Sequence, residues 1–203
     1  RDVMNRAYDE TASGSSLVES MRASATALER GTNRGPTNVR DMLDEAFAEI
    51  GSDVGPTGIP TGFAALSRKI PTGFEAGQLI LIGARPGMGK TAVALSYGLG
   101  AASGGHGVLF VSLEMSALEL SARMVSDLCF NGEQGVPFAA IRDGELNAWQ
   151  RNRAGEAANI ARGMPFYIID AGSLTIGRMN MLVRRHARRM AARGEKLELV
   201  IVD

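Results

Sequence analysis

Chemistry-bearing residues are scarce in this chain of 203 residues, and each scarcity removes a class of function. A single cysteine, Cys129, excludes a disulfide framework and a thiolate metal cluster. Two histidines, His106 and His186, are too few and too far apart for an imidazole-rich metal site. Net charge is absent, with 22 basic and 22 acidic residues, so composition points neither to nucleic acid nor to a membrane surface. The balance conceals a difference between the ends, since residues 1–55 carry a net −4 and the remainder +4. No apolar run approaches the roughly 18 residues of a membrane span, and no signal-peptide pattern opens the chain. A reduced, cytoplasmic setting without a membrane is the simplest reading. Lysine occurs only as Lys69, Lys90 and Lys196, against 19 arginines, so a lysine inside a glycine-rich loop stands out.

What is present is an ordinary globular composition, 45% hydrophobic and 22% charged. The length suits one domain with a helical extension. The chain opens at Arg1 and stops directly after an apolar run, as a piece of a longer protein would. Residues 1–9 and 17–30 have helical patterning around the loop "TASGSS", and "GTNRGPTN" reads as a linker. In "VRDMLDEAFAEI", Val39, Met42, Leu43, Ala46, Phe47 and Ile50 form one stripe of an amphipathic helix stopped by Gly51. Linkers flank this helix on both sides. Its stripe must be buried either on its own domain or on another subunit.

From residue 62 strands and helices alternate. "QLILIGA" (78–84) is a continuous apolar run, the pattern of a strand covered on both faces. A helix follows from about Gly89 to Ala101, then a strand "GVLFVSL" (107–113). Ser116 and Glu119 make a capping box for a helix to about Phe130, stopped by Asn131-Gly132. A helix over 146–163, a strand "FYIID", a helix over 175–193 stopped by Gly194 and a strand "LELVIVD" complete the order. This alternation predicts an α/β fold with a parallel sheet.

The stretch Ala84, Arg85, Pro86, Gly87, Met88, Gly89, Lys90, Thr91, Ala92 joins the first predicted strand to the first predicted helix. A phosphate-binding loop requires that context. Gly87 and Gly89 permit unusual dihedrals and close backbone approach, and successive N–H groups from Gly87 to Ala92 form a nest for phosphate oxygens. Lys90 would reach the β- and γ-phosphates of ATP, and the Thr91 hydroxyl would ligate Mg²⁺. Ala84 departs from the strict pattern, which has glycine there.

Hydrolysis needs acids beside the loop, at the carboxyl ends of strands. Glu114 follows "LFVSL", Asp170 follows "FYII" and Asp203 follows "LVIV". Glu114 is placed to orient or deprotonate a water. Asp170 and Asp203 both suit the second acid, holding hydrated Mg²⁺. The unbroken "LVIV" run favours Asp203, with Asp170 the alternative and otherwise a strand-end cap.

"TGIPTGFAALSRKI", "GQLILIGARPGMGKTAVAL", "VLFVSLEMSALELSARMVS" and "LVIVD" together resemble the DnaB-type replicative helicases, hexameric motors with a RecA-like ATPase core. "ARPGMGKT", alanine included, and "SLEMS" are highly characteristic of that family. The resemblance implies a RecA-like P-loop core over 57–203, the end of a helical N-terminal domain over 1–31, and a linker over 32–56 with a docking helix at 38–50. It implies Lys90 and Thr91 as phosphate and Mg²⁺ ligands, Glu114 as catalytic base and Asp203 as the Mg²⁺-side acid, which demotes Asp170. It also implies a homo-hexamer, single-stranded DNA, primase and a helicase loader as partners, with the linker helix docked on a neighbouring subunit. The family's arginine finger, γ-phosphate sensor and DNA-binding loops would lie past Asp203, so the piece alone would hydrolyse ATP slowly or not at all. Ser67 is a departure, where the family often has Asp. Another RecA-like ATPase of strand exchange, or a non-catalytic partner-binding module, are the competing readings.

The helix at 175–193 carries Arg178, Arg184, Arg185, Arg188, Arg189 and Arg193. A solvated outer face explains them better than a DNA-binding stripe, because Met179, Leu182 and Met190 supply a core-facing side. Cys129 is expected in the core beside Leu118, Ala122 and Val125, and Trp149 in the core with Leu146, Ala157 and Ile160.

Overall fold

A computed structural model describes residues 58–203, together with Val39 and Leu43. The helices expected at 1–9 and 17–30, and all of the 38–50 helix except those two residues, lie outside the described residues. Val39 and Leu43 are helical and exposed.

The described part begins with an isolated antiparallel bridge between Ile59 and Phe74, enclosing the single-turn helix α1 (Ala64–Ser67). Buried Thr61 shares a 2.8 Å hydrogen bond between hydroxyls with Ser67, so Ser67 closes this loop from within. The elements that follow are α2 (Lys90–Ser103), β1 (Gly107–Ser112), α3 (Ala117–Cys129), α4 (Phe138–Asp143), α5 (Ala148–Arg162), β2 (Phe166–Asp170), α6 (Ile176–Ala191) and β3 (Leu197–Val202). The three strands form a parallel sheet in the order β2-β1-β3. The central strand is buried at all six residues, as an apolar run covered on both faces should be.

Each face of the sheet carries its own helices. Phe110 pairs in register with Ile168 and Ile201, and on this side it packs with Ala94, Leu95 and Leu99 of α2 and Leu120 and Met124 of α3. Gly98 lets α2 approach closely, because a Cβ there would stand 2.7 Å from the Phe166 ring. On the opposite face α6 brings Met190 over Gly107 and sets His186 edge-on to Tyr167, with ring centroids 4.4 Å apart. All six arginines of the 175–193 stretch are exposed, while Met179 and Leu182 are partly buried and Met190 fully.

Three expectations fail. Residues 78–84 are in no strand, and Leu79 and Leu81 are 86% and 84% exposed. An apolar run supplies the propensity, but a strand exists only when a neighbour accepts its backbone groups. Among the described residues the run borders a cleft opposite Leu199–Val202 rather than pairing with it. Trp149 is 48% exposed and Ile160 54%, so neither is core. The buried side of α5 is instead Ala154, Ala157 and Ala161, small residues that let α5 lie close to α3. Leu118 is also exposed, and Cys129 is buried with Val136, Ala157 and Val125.

Candidate functional site

The loop from Ala84 to Gly89 is exposed throughout and turns on a 3.1 Å hydrogen bond from the Met88 amide to the Arg85 carbonyl. Gly87 and Gly89 both take positive φ, 77° and 86°, a region that side-chain-bearing residues rarely enter. A Cβ at Gly87 would meet nothing within 4 Å, so conformation rather than crowding demands glycine, and the space above the loop is open. Gly89 is the N-cap of α2, and Lys90, Thr91 and Ala92 form the helix's first turn. The amides of that turn have no intrahelical acceptors, and the helix dipole adds positive potential. Open space, positive φ at two glycines and free amides at a helix start fit a polyphosphate.

On the sheet side, three polar residues stand in a row at the carboxyl ends of the strands. Asp170 of β2 pairs in register with Ser112 of β1. Asp203 follows β3 one step past the Val111–Val202 pair, its amide bonded to the Val111 carbonyl at 3.0 Å. All three side chains point to the face covered by α2 and α3. Asp203 accepts a 2.6 Å hydrogen bond from the Thr91 hydroxyl and lies 2.9 Å from the Lys90 ammonium. Its side chain is only 3% exposed, against 43% for Lys90. The Lys90 ammonium is held above its ordinary value of 10.5, first by the hydrogen bond to Asp203 and then by that carboxylate's charge. Partial desolvation opposes this, and Glu114 adds a smaller pull in the same direction as Asp203.

Ser112 is fully buried, and its hydroxyl accepts from the Met115 amide at 3.0 Å. Asp170 accepts from the Ala117 amide at 2.9 Å, at the start of α3. Glu114 sits between these two anchors, exposed, in the loop after β1. The structure thus brings Lys90, Thr91 and Asp203 into direct contact, with Glu114 within electrostatic reach of Lys90. Asp170 is two strands from Asp203, about 10 Å at ordinary strand spacing, and its carboxylate is engaged elsewhere. Arg85 and Met88 are on the exposed lip. Ser112 opens the "SLEMS" stretch but is given no role in the sequence, although a serine closing an otherwise apolar strand shortly before the acid is a usable signal. Among the described residues no three His, Cys, Asp or Glu side chains are grouped to hold a metal ion. A divalent cation here would need phosphate oxygens and water besides Thr91 and Asp203.

Comparison with known proteins places these features in context. Residues 58–203 match the family model described as the DnaB-like helicase C terminal domain. The chain is 36% identical over 176 residues to the replicative DNA helicase DnaB of Buchnera aphidicola subsp. Acyrthosiphon pisum, covering 83% of this chain and 36% of that protein. It is 29% identical over 209 residues to the Treponema pallidum replicative DNA helicase DnaB, covering 100% of this chain and 45% of that protein. The chain therefore spans less than half the length of these relatives. Two solved structures share the fold. One, an ATPase domain, has a TM-score of 0.66 at 24% identity, over 83% of this chain and 57% of that one. The other, a DnaB-like replicative helicase described with its interactions with primase, has a TM-score of 0.69 at 22% identity, over 92% of this chain and 43% of that one.

Proposed function

The chain belongs to the family of DnaB-like helicase C-terminal domains, and from that premise we propose that it is the nucleotide-binding part of an ATP-driven replicative DNA helicase. The observation that carries the reading is the convergence of Lys90 and Thr91 on Asp203, beneath a loop whose two glycines hold positive φ. In this assignment ATP lies along residues 84–92. The first-turn amides and Lys90 hold its phosphates, the Thr91 hydroxyl and Asp203 hold hydrated Mg²⁺, and Glu114 takes the proton of the attacking water. Mg²⁺, when bound, neutralises phosphate charge. Lys90 would exchange its contact with Asp203 for phosphate oxygens, freeing that carboxylate to face the cation. Among the described residues, exposed Glu114 is the one acid on this edge with neither a cation nor an amide on its carboxylate, which suits a base.

The longer protein would assemble as a homo-hexamer in the cytoplasm, translocate on single-stranded DNA and meet a primase and a loader. The 38–50 helix would dock on a neighbouring subunit through its apolar stripe. No helix among the described residues is long and apolar enough to cross a membrane.

Two measurements test this. Lys90→Ala should abolish Mg²⁺-dependent ATP binding, read by titration with a fluorescent nucleotide, and unchanged binding would overturn the site. The full-length protein should displace a strand from a forked duplex in an ATP-dependent manner. Strand exchange without displacement would assign it to recombination instead.

A further inference from the structure

Resting on the assignment of Glu114 as the base, we propose that Asp170, together with Ser112, is a positioning residue that sets where Glu114 stands. The loop from Leu113 to Ser116 is tied at alternate amides. Leu113 donates to the Asp203 carbonyl at 2.7 Å, Met115 to the Ser112 hydroxyl at 3.0 Å and Ala117 to the Asp170 carboxylate at 2.9 Å. Each acceptor belongs to a different strand, so the whole sheet edge grips the backbone on both sides of Glu114.

The Ala117 amide is the first of α3 and lacks an intrahelical acceptor. The Ser116 hydroxyl serves another amide of the first turn, that of Glu119, at 3.2 Å. Asp170, 53 residues away in sequence, therefore supplies what the local cap leaves undone, and its charge suits the positive end of a 13-residue helix. Ser112 is fully buried, so its hydroxyl has no solvent alternative to Met115. Without these anchors, α3 and the loop would shift relative to β3, and with them the distance from Glu114 to the Lys90–Thr91–Asp203 group. Asp170 touches none of that group and acts through the loop.

The test is steady-state ATP turnover by the full-length protein. Asp170→Ala should lower kcat about ten- to a hundredfold, the scale of a base moved by about 1 Å, with KM for ATP unchanged. Asp170→Asn keeps an oxygen for the Ala117 amide without the charge, and should recover a third or more of wild-type kcat. In a Glu114→Gln background Asp170→Ala should add little further loss. Ser112→Ala, nearly isosteric and so a safeguard against misfolding, should lower kcat in the same way.

Several results would overturn the proposal. One is Asp170→Asn as impaired as Asp170→Ala with a raised Mg²⁺ requirement, which would make Asp170 a metal-side acid. Others are full additivity with Glu114→Gln, or wild-type kcat for Ser112→Ala or Asp170→Ala. Wild-type turnover by Glu114→Gln is distinguishable from all of these, since it removes the base assignment itself.

Discussion

Asp203 is the residue on which the contacts of the site converge. Its carboxylate faces Lys90 and Thr91 from β3, and its backbone is held by β1 on both sides. Asp203→Asn would keep an acceptor for the Thr91 hydroxyl but lose the charge. The expected outcome is turnover at least about tenfold slower and a higher Mg²⁺ concentration for half-activity, read by titrating Mg²⁺ at saturating ATP. At the far end of the same strand, burial raises the Glu198 carboxylate, but hydrogen bonds from His106 and Lys196 outweigh it and hold the group below its ordinary 4.5. A depressed carboxylate stabilises the fold above 4.5, and that contribution fades as pH falls through the depressed value. Urea unfolding of wild type and Glu198→Gln should therefore differ at about pH 6, with the difference shrinking as the pH falls below 4.5 through the depressed value. His106 lies just before β1, and this contact ties it to the start of β3.

Elements kept their places where local signals were complete. Ser116 caps α3 through the Glu119 amide, but the reciprocal half of the capping box does not form. The Glu119 carboxylate instead lies 3.7 Å from Arg123, one turn on. The full box is at Asn147 and Gln150 on α5. Ser116→Ala and Asn147→Ala should each cost about 1 kcal/mol, because each removes one side-chain acceptor while the Asn147 amide keeps its bond to Gln150. Thermal melts lowered by similar amounts in the two variants check this. The expected elements from α2 to β3 were legible because their periodicity, caps and glycine stops agree. The exposed side of α5 was not, because Trp149 and Ile160 outweigh alanines in any hydrophobicity pattern. Packing distance, which favours the alanines, is invisible to that pattern. The short helix α4 carries too few turns to show a period.

At the largest scale, one buried strand organises the sheet and the helices packed on it. Phe110 sits at its centre, fully buried between α2, α3 and the flanking strands. Phe110→Ala should cost about 3–5 kcal/mol, a large part of a domain's usual stability of about 5–15 kcal/mol. The urea midpoint should fall with little change in slope. Wild-type stability would remove β1 from the centre of the core. The same strand connects fold to site, because its neighbours on either side end in Asp170 and Asp203 and its own end carries Ser112 and Glu114.

The glycine-rich loop pattern, the α/β alternation and the family were determined by the sequence alone, since glycine spacing, apolar period and strand-end acids are properties of short stretches. Spacing only weighted the choice between Asp170 and Asp203, because each follows an apolar strand, and the family resemblance favoured Asp203. Tertiary structure decided which contacts each acid makes. The order β2-β1-β3 sets Asp203 against Thr91, 112 residues away, and Asp170 against Ala117. Which strand neighbours which depends on contacts between distant segments, and no local pattern encodes them. For the same reason an apolar run such as 78–84 states a preference for burial without naming the partner that would satisfy it.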